Sequence, residues 1–179
     1  MDLARITVKD RQFKLYMSAE DVQKVVDRVA SELNRDMAEA HPVFLPIMNG
    51  AMMFASDLLK RFQFPCEISC LRYKSYCGLS STGTIQRLIT LPDNLRGRNV
   101  VVIEDIVDTG ETMKTLTDDL RETGAASVKV VSLIIREDGF KVPLTVDYVG
   151  MKMPPLFVVG YGLDYDEGGR NYPGIYVLD

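Results

Sequence analysis

Apolar and polar positions alternate between two rhythms along this chain, one of helical period and one of continuous short runs. After Ser18, the stretch "AEDVQKVVDRVASEL" repeats Val22, Val25, Val26, Val29 and Leu33 at helical spacing, and Asp21 stands where an acid favours the first turn. It predicts an amphipathic surface helix. "HPVFLPIMNG" is a short apolar run closed by Asn-Gly, and "AMMFASDLLKRF" after it returns to a helical pattern through Met53, Phe54, Asp57 and Leu58. "CEISCLRY" predicts the next strand. "NVVVIEDIV" and "SVKVVSLII" are unbroken apolar runs of strand length, separated by "GETMKTLTDDLRETG", which places Met113, Leu116 and Leu120 on one helical face before the stop at Gly124.

Unbroken runs divided by helices belong to strands covered on both faces, so the fold class is α/β, a mostly parallel twisted sheet flanked by helices. Beyond Arg136 the pattern shortens to "VDYVGM", "LFVVGYGL" and "IYVLD", joined by Pro- and Gly-bearing segments. These pieces predict a small C-terminal hood over the sheet. With no repeat, low-complexity stretch or linker, residues 1–179 are expected to form one domain, with a core over about 10–136 and a hood over about 137–179 joined by the N-terminal segment.

Charge and cysteine content narrow the partners. A net charge of -4 argues against gripping nucleic acid or an anionic membrane through bulk charge, so an anionic ligand must be small and held locally. Cys66, Cys70 and Cys77 are odd in number with only His41 beside them, which points to reduced thiols in a cytoplasmic protein rather than to a metal site or a disulfide. Cys66 and Cys70 alternate with Ile68 and read as small apolar fillers of a strand. The N-terminus shows no basic flank with a long apolar core, and no run reaches the ~18 apolar residues of a membrane span. A soluble, intracellular protein is expected.

The candidate chemistry lies in "VVIEDIVDTGETM", residues 101–113. In open α/β sheets ligands bind beyond the carboxyl ends of the strands, and this run delivers Glu104, Asp105 and Asp108 to such an edge. Two adjacent buried carboxylates are costly unless they meet hydroxyls, a metal or positive charge. Thr109, Gly110, Glu111 and Thr112 then turn into a helix, where open N–H groups, the helix dipole and two hydroxyls attract phosphate. Acids for hydroxyls and amides for phosphate together suggest a ribose phosphate. Asp-Thr-Gly alone is a common helix-entry turn; the full string is far more specific. The chain has neither G-x-x-x-x-G-K-[ST] nor G-x-G-x-x-G.

The whole string resembles the phosphoribosyl-pyrophosphate (PRPP) signature of the purine phosphoribosyltransferases. Three other stretches resemble the hypoxanthine-guanine branch in the same order: "LPIMNGAMMFASDLL" its pyrophosphate loop, "LRYKSYCGLSSTGTI" its mobile catalytic loop, and "FVVGYGLDYDEGGRN" its C-terminal base and metal segment. The resemblance spans roughly residues 10 to 179. It implies the type I phosphoribosyltransferase fold and transfer of phosphoribosyl from PRPP to N9 of hypoxanthine, with guanine as a second base, releasing pyrophosphate with Mg²⁺ as cofactor. It also implies a homodimer or homotetramer, paired through the "LPIMNGAMMF" helix. A xanthine-preferring enzyme, or a nucleotide-sensing regulator on the same fold, remains the alternative.

By the same resemblance, Glu104 and Asp105 hold the ribose hydroxyls and, through water, Mg²⁺, with Asp164 a second metal ligand. Thr109, Gly110, Glu111 and Thr112 cradle the ribose phosphate, and Asp108 handles a proton beside purine N7. Ser75 and Tyr76 close over pyrophosphate and exclude water. Asn49 and Gly50 match a pyrophosphate-contacting peptide that is often cis, and Arg170 a pyrophosphate-binding arginine. Phe157 matches the ring stacked on the base and Val158 the main chain that reads its edge. Three positions depart from the family pattern. Asn49, Arg136 and Leu156 each stand where lysine is common, Arg136 where lysine donates to the purine 6-oxo group. An oxo-directed donor argues against adenine.

Overall fold

In the computed structural model, which describes residues 3–72, 91–92 and 94–179, the chain runs β1 (Arg5–Val8), β2 (Arg11–Met17), α1 (Ala19–Met37), β3 (Val43–Met48), α2 (Met52–Leu59), β4 (Glu67–Ile68), β5 (Leu71–Arg72), β6 (Asn99–Val107), α3 (Glu111–Glu122), β7 (Ser127–Ile135), β8 (Tyr148–Lys152), β9 (Val158–Val159) and β10 (Ile175–Leu178). A 3-10 turn, Glu137–Gly139, follows β7.

The larger sheet is parallel in the order β4-β3-β6-β7-β8, with β5 also paired to β3. Its central strand, β6, explains the unbroken apolar run. Val101 and Ile103 pack with α1 and α2 on one face, while Val100 and Val102 pack with Met113, Leu116 and Leu120 of α3 on the other. Each such buried side chain contributes about 1.5–3 kcal/mol. The expected α/β class is thereby met.

Local chemistry fixes the helices. Ser18 is extended and its Oγ accepts the Asp21 N–H at 3.1 Å, so α1 starts where its sequence cap stands. It buries Val22, Val26, Val29, Ala30, Leu33 and Met37, with Val25 at the margin of the core. Before α3, Gly110 takes φ +78, a left-handed conformation open to glycine at no steric cost.

A second, antiparallel sheet, in the order β1-β2-β10-β9, encloses Ile6, Val8, Phe13, Val159 and Tyr176. Val158, Ile175 and Val177 join the α1/α2 side of the main core, fastening this hood to the sheet.

Three expectations change. "CEISCLRY" is not one strand but the two-residue β4 and β5, and both Ile68 and Cys70 are exposed, so Cys70 fills no core. "VDYVGM" supplies β8, which belongs to the parallel sheet beside β7 rather than to the hood, because Asp147 Oδ2 accepts the Val130 N–H at 2.8 Å and aligns the two strands. "LFVVGYGL" is strand only at Val158–Val159, since Gly160, Tyr161 and Gly162 all have positive φ and turn the chain.

Candidate functional site

The C-terminal ends of β3, β6 and β7 face the same way, and the segments that follow them meet the hood there. A cavity of about 180 Å³ at the end of β6 is lined by Glu104, Ile106, Val107, Asp108, Thr109, Gly110, Thr112 and Met113. A second cavity, of about 200 Å³, lies at the opposite edge between His41, Pro42, Pro65, Cys66 and Glu67 and touches none of the candidate residues.

Glu104 and Asp105 fold their carboxylates back onto the strand. The Asp105 N–H donates to Glu104 Oε1 at 3.0 Å, and the Ile106 N–H donates to Asp105 Oδ1 at 2.8 Å. Burial pushes the Glu104 carboxyl well above its ordinary range, and the neighbouring Asp105 adds to the rise. A positive or hydroxyl-bearing ligand relieves that cost. No side chain caps α3; Thr109 Oγ1 accepts the Glu111 N–H only at 3.4 Å, so the first turn of the helix opens on the cavity. The Glu111 carboxylate itself turns toward Lys141 at 3.9 Å, and Glu111 is not among the residues that line the cavity.

Asp108 and Arg136 are a pair. Arg136 Nη1 donates to Asp108 Oδ2 at 2.8 Å, and Nη2 donates to the Leu156 carbonyl. The guanidinium is 15% exposed and the carboxylate 53%, so Asp108 is the half that faces outward. Arg136 Nε is buried and finds no partner among the described residues. The Arg136 N–H donates to the Val107 carbonyl at 3.0 Å, which seats the end of β7 beside the start of the Asp108 turn.

On the hood, Phe157 is 49% exposed and stands edge-on to Tyr165 with centroids 5.9 Å apart. The Leu178 N–H donates to the Phe157 carbonyl at 3.0 Å, which makes Val158 and Val177 a non-hydrogen-bonded pair. The peptide groups of Val158 therefore point off the free edge of β9. Arg136, Leu156, Phe157 and Val158 thus form one wall.

The opposite wall is built on two glycines. The cis peptide is Met48–Asn49, one bond ahead of the Asn49–Gly50 peptide that the sequence singled out. A Cβ at Gly50 would lie 2.0 Å from Asp105 Oδ2, and one at Gly162, where φ is +99, would lie 2.0 Å from the Gly50 carbonyl oxygen. Asp105, Gly50 and Gly162 are therefore stacked in direct contact. Arg170 Nη1 donates to the Gly162 carbonyl at 2.7 Å, and its Nη2 pairs with Asp164 at 2.8 Å and Glu167 at 3.1 Å. The Glu167 N–H donates to the other Asp164 oxygen at 2.8 Å.

Ser75 and Tyr76 lie outside the described residues. Among the described residues no group of three or more His, Cys, Asp or Glu side chains is placed to hold a metal alone. Glu104, Asp105 and Asp164 offer hard oxygens in smaller numbers, a set suited to a cation that brings phosphate oxygens with it. Gly162, Tyr161 and the Leu156 carbonyl were not singled out by the sequence. The "GYG" spacing was the available signal for a positive-φ turn.

Residues 16–166 match the model of the phosphoribosyl transferase domain family. The chain is 36% identical to the hypoxanthine-guanine phosphoribosyltransferases of Streptococcus pneumoniae and Bacillus subtilis, over 92% of this chain and 92% of each relative. The crystal structure of a hypoxanthine phosphoribosyltransferase from Staphylococcus aureus superposes with a TM-score of 0.85 at 35% identity, covering 93% of this chain and 91% of that one.

Proposed function

This chain belongs to the phosphoribosyltransferase family, and we propose that it salvages purines by transferring phosphoribosyl from PRPP to N9 of hypoxanthine and of guanine. The observation that carries the base class is the Arg136 fork beside the free peptide edge of Val158. A guanidinium only donates, so it matches a 6-oxo acceptor and repels the amino group of adenine. Phe157 supplies the stacking face and Val158 the edge contacts. Hypoxanthine and guanine phosphoribosyltransferase relatives support the same base class.

In this reading the Glu104 and Asp105 carboxylates hold the ribose hydroxyls, and Thr109 to Thr112 hold the ribose phosphate through open N–H groups and hydroxyls. Asn49, Gly50 and Arg170 receive pyrophosphate, with Ser75 and Tyr76 closing over it. N9 of the base bonds to the ribose anomeric carbon as the bond to pyrophosphate breaks, and Asp108 takes the proton released from N7. Glu104 and Asp105, with Asp164 as a further carboxylate, would hold Mg²⁺ together with PRPP oxygens, and the ion would supply positive charge to the departing pyrophosphate. A cytoplasmic location and subunit pairing around α2, where Met52 is exposed, belong to the same reading. No helix among the described residues is long and apolar enough to cross a membrane.

The test is pyrophosphate release from PRPP and Mg²⁺ with hypoxanthine, guanine, xanthine and adenine in turn. Turnover with hypoxanthine and guanine is expected. Turnover confined to xanthine would move the reading to that base, and none with any oxopurine would end it. Sedimentation distinguishes dimer from tetramer.

A further inference from the structure

Tyr161 is a buried aromatic at φ +50, a conformation that bulky side chains seldom hold. Its ring sits in the main core, where a phenylalanine would fill the same space. The hydroxyl donates to Asp57 Oδ2 on α2 at 2.8 Å. Gln23 of α1 donates to the same oxygen at 2.9 Å, Lys60 holds the other at 2.8 Å, and Arg61 Nη2 fixes Gln23 through its Oε1 at 2.8 Å. Both helices thus clamp one hydroxyl of the hood.

That hydroxyl sits at the base of the turn carrying Gly162. Gly160 and Leu163 exchange N–H to carbonyl bonds at 3.0 and 3.1 Å, and the Gly162 N–H donates to the Arg170 carbonyl at 3.0 Å. Gly162 in turn rests on the Gly50 carbonyl, and Gly50 on the Asp105 carboxylate. A Cβ at either glycine would overlap its neighbour, so the column is closely packed and the height of the turn bears on where Gly50 lies and where Arg170 points.

We propose that Tyr161 is a positioning residue for the pyrophosphate half of the site, acting through its bond to Asp57 to hold Gly162 on Gly50, and Gly50 on Asp105. The inference rests on the phosphoribosyl-transfer reading and adds a residue outside the matched motif roles. Its substrate signature is selective. No hydrogen bond among the described residues joins Arg136, Leu156, Phe157 or Val158 to Gly50 or Gly162, so PRPP and pyrophosphate should feel the loss and the base should not.

The experiment compares the full chain with Tyr161→Phe, Asp57→Asn and Asp57→Leu. Calorimetry measures binding of pyrophosphate with Mg²⁺, and kinetics measure KM for PRPP and, at saturating PRPP, KM for the base. Tyr161→Phe is expected to weaken pyrophosphate and raise the PRPP KM about 5- to 50-fold, with the base KM within about twofold. Asp57→Leu should follow it, while Asp57→Asn, whose amide oxygen still accepts from Tyr161 and Gln23 but which no longer offers Lys60 a carboxylate, should lose less affinity than Asp57→Leu. Unchanged pyrophosphate binding in Tyr161→Phe, an equal loss for pyrophosphate and base, or an Asp57→Asn variant as weak as Asp57→Leu would overturn the proposal. Should Asp57→Leu fail to fold, Tyr161→Phe and Asp57→Asn decide it. If the wild type binds pyrophosphate yet turns over no oxopurine, the transferase reading fails and the binding arm still decides the role of Tyr161. A wild type that binds neither overturns both.

Discussion

Arg136 grips Asp108 through Nη1 at 2.8 Å while its Nη2 holds the Leu156 carbonyl, so one guanidinium ties the turn after β6 to the hood. A lysine gathers its three donors on one nitrogen, so it cannot reproduce a planar fork that reaches the two partners from two separate nitrogens. Arg136→Lys keeps the charge and loses the bridge. The KM for the oxopurine is expected to rise about 5- to 30-fold, corresponding to the 1–2 kcal/mol of a lost charged hydrogen bond, with the PRPP KM within about twofold. Steady-state kinetics with each substrate varied in turn check this, and an unchanged oxopurine KM would remove the bridge from base recognition.

Asp108→Asn preserves an oxygen for Arg136 Nη1 and removes the proton acceptor. Turnover is expected to fall by about 10²- to 10⁴-fold while PRPP affinity stays near wild type. Single-turnover rates alongside PRPP binding test the separation; equal losses in both would assign Asp108 to binding.

Gly50→Ala places a methyl group where Asp105 Oδ2 now lies 2.0 Å away, and the loop cannot retreat because Gly162 sits against the Gly50 carbonyl. Displacement of the ribose acid by a fraction of an ångström or more is expected to lower kcat/KM for PRPP by about 100-fold. Melting curves run beside the kinetics separate this local effect from unfolding; near-normal kcat/KM would show that the column is softer than its contacts indicate.

Acid should weaken the clamp between the helices and the hood. Burial opposes ionisation of Asp57, yet hydrogen bonds from Lys60, Gln23 and Tyr161 outweigh it and hold the carboxyl below its ordinary range. A carboxyl held below its unfolded value of about 3.9 contributes stability that is complete above that value and lost as pH falls through the folded one. The difference in unfolding free energy between wild type and Asp57→Asn should be level above about pH 5 and shrink below about pH 4. Denaturant titrations across pH measure it, and a difference that grows toward acid would contradict the assignment. Tyr161 stays a hydroxyl throughout this window, because burial first and the Asp57 carboxylate second push its ionisation upward.

Much of the molecule was written in local pattern. The unbroken run of β6 announced a strand buried on both faces, Ser18 and Asp21 announced the start of α1, and the acids followed by Thr-Gly announced a site at a strand end. These features depend on neighbours in sequence: the period of apolar residues, a cap three positions from its donor, a turn opening a helix. Local pattern also misjudged "CEISCLRY" and "VDYVGM", because the length of a strand and the sheet it joins depend on partners far along the chain.

What the tertiary structure alone decided is how the pieces meet. The sequence placed Asp108 and Arg136 twenty-eight positions apart and gave them separate roles; adjacent parallel strands bring their ends together and make them an ion pair. It singled out Gly50 for its contact with pyrophosphate, while the fold shows a glycine required because Asp105 lies on one side and Gly162 presses from the other. Close packing between segments more than fifty residues apart leaves no periodic trace in the chain, because its conditions are distances rather than intervals.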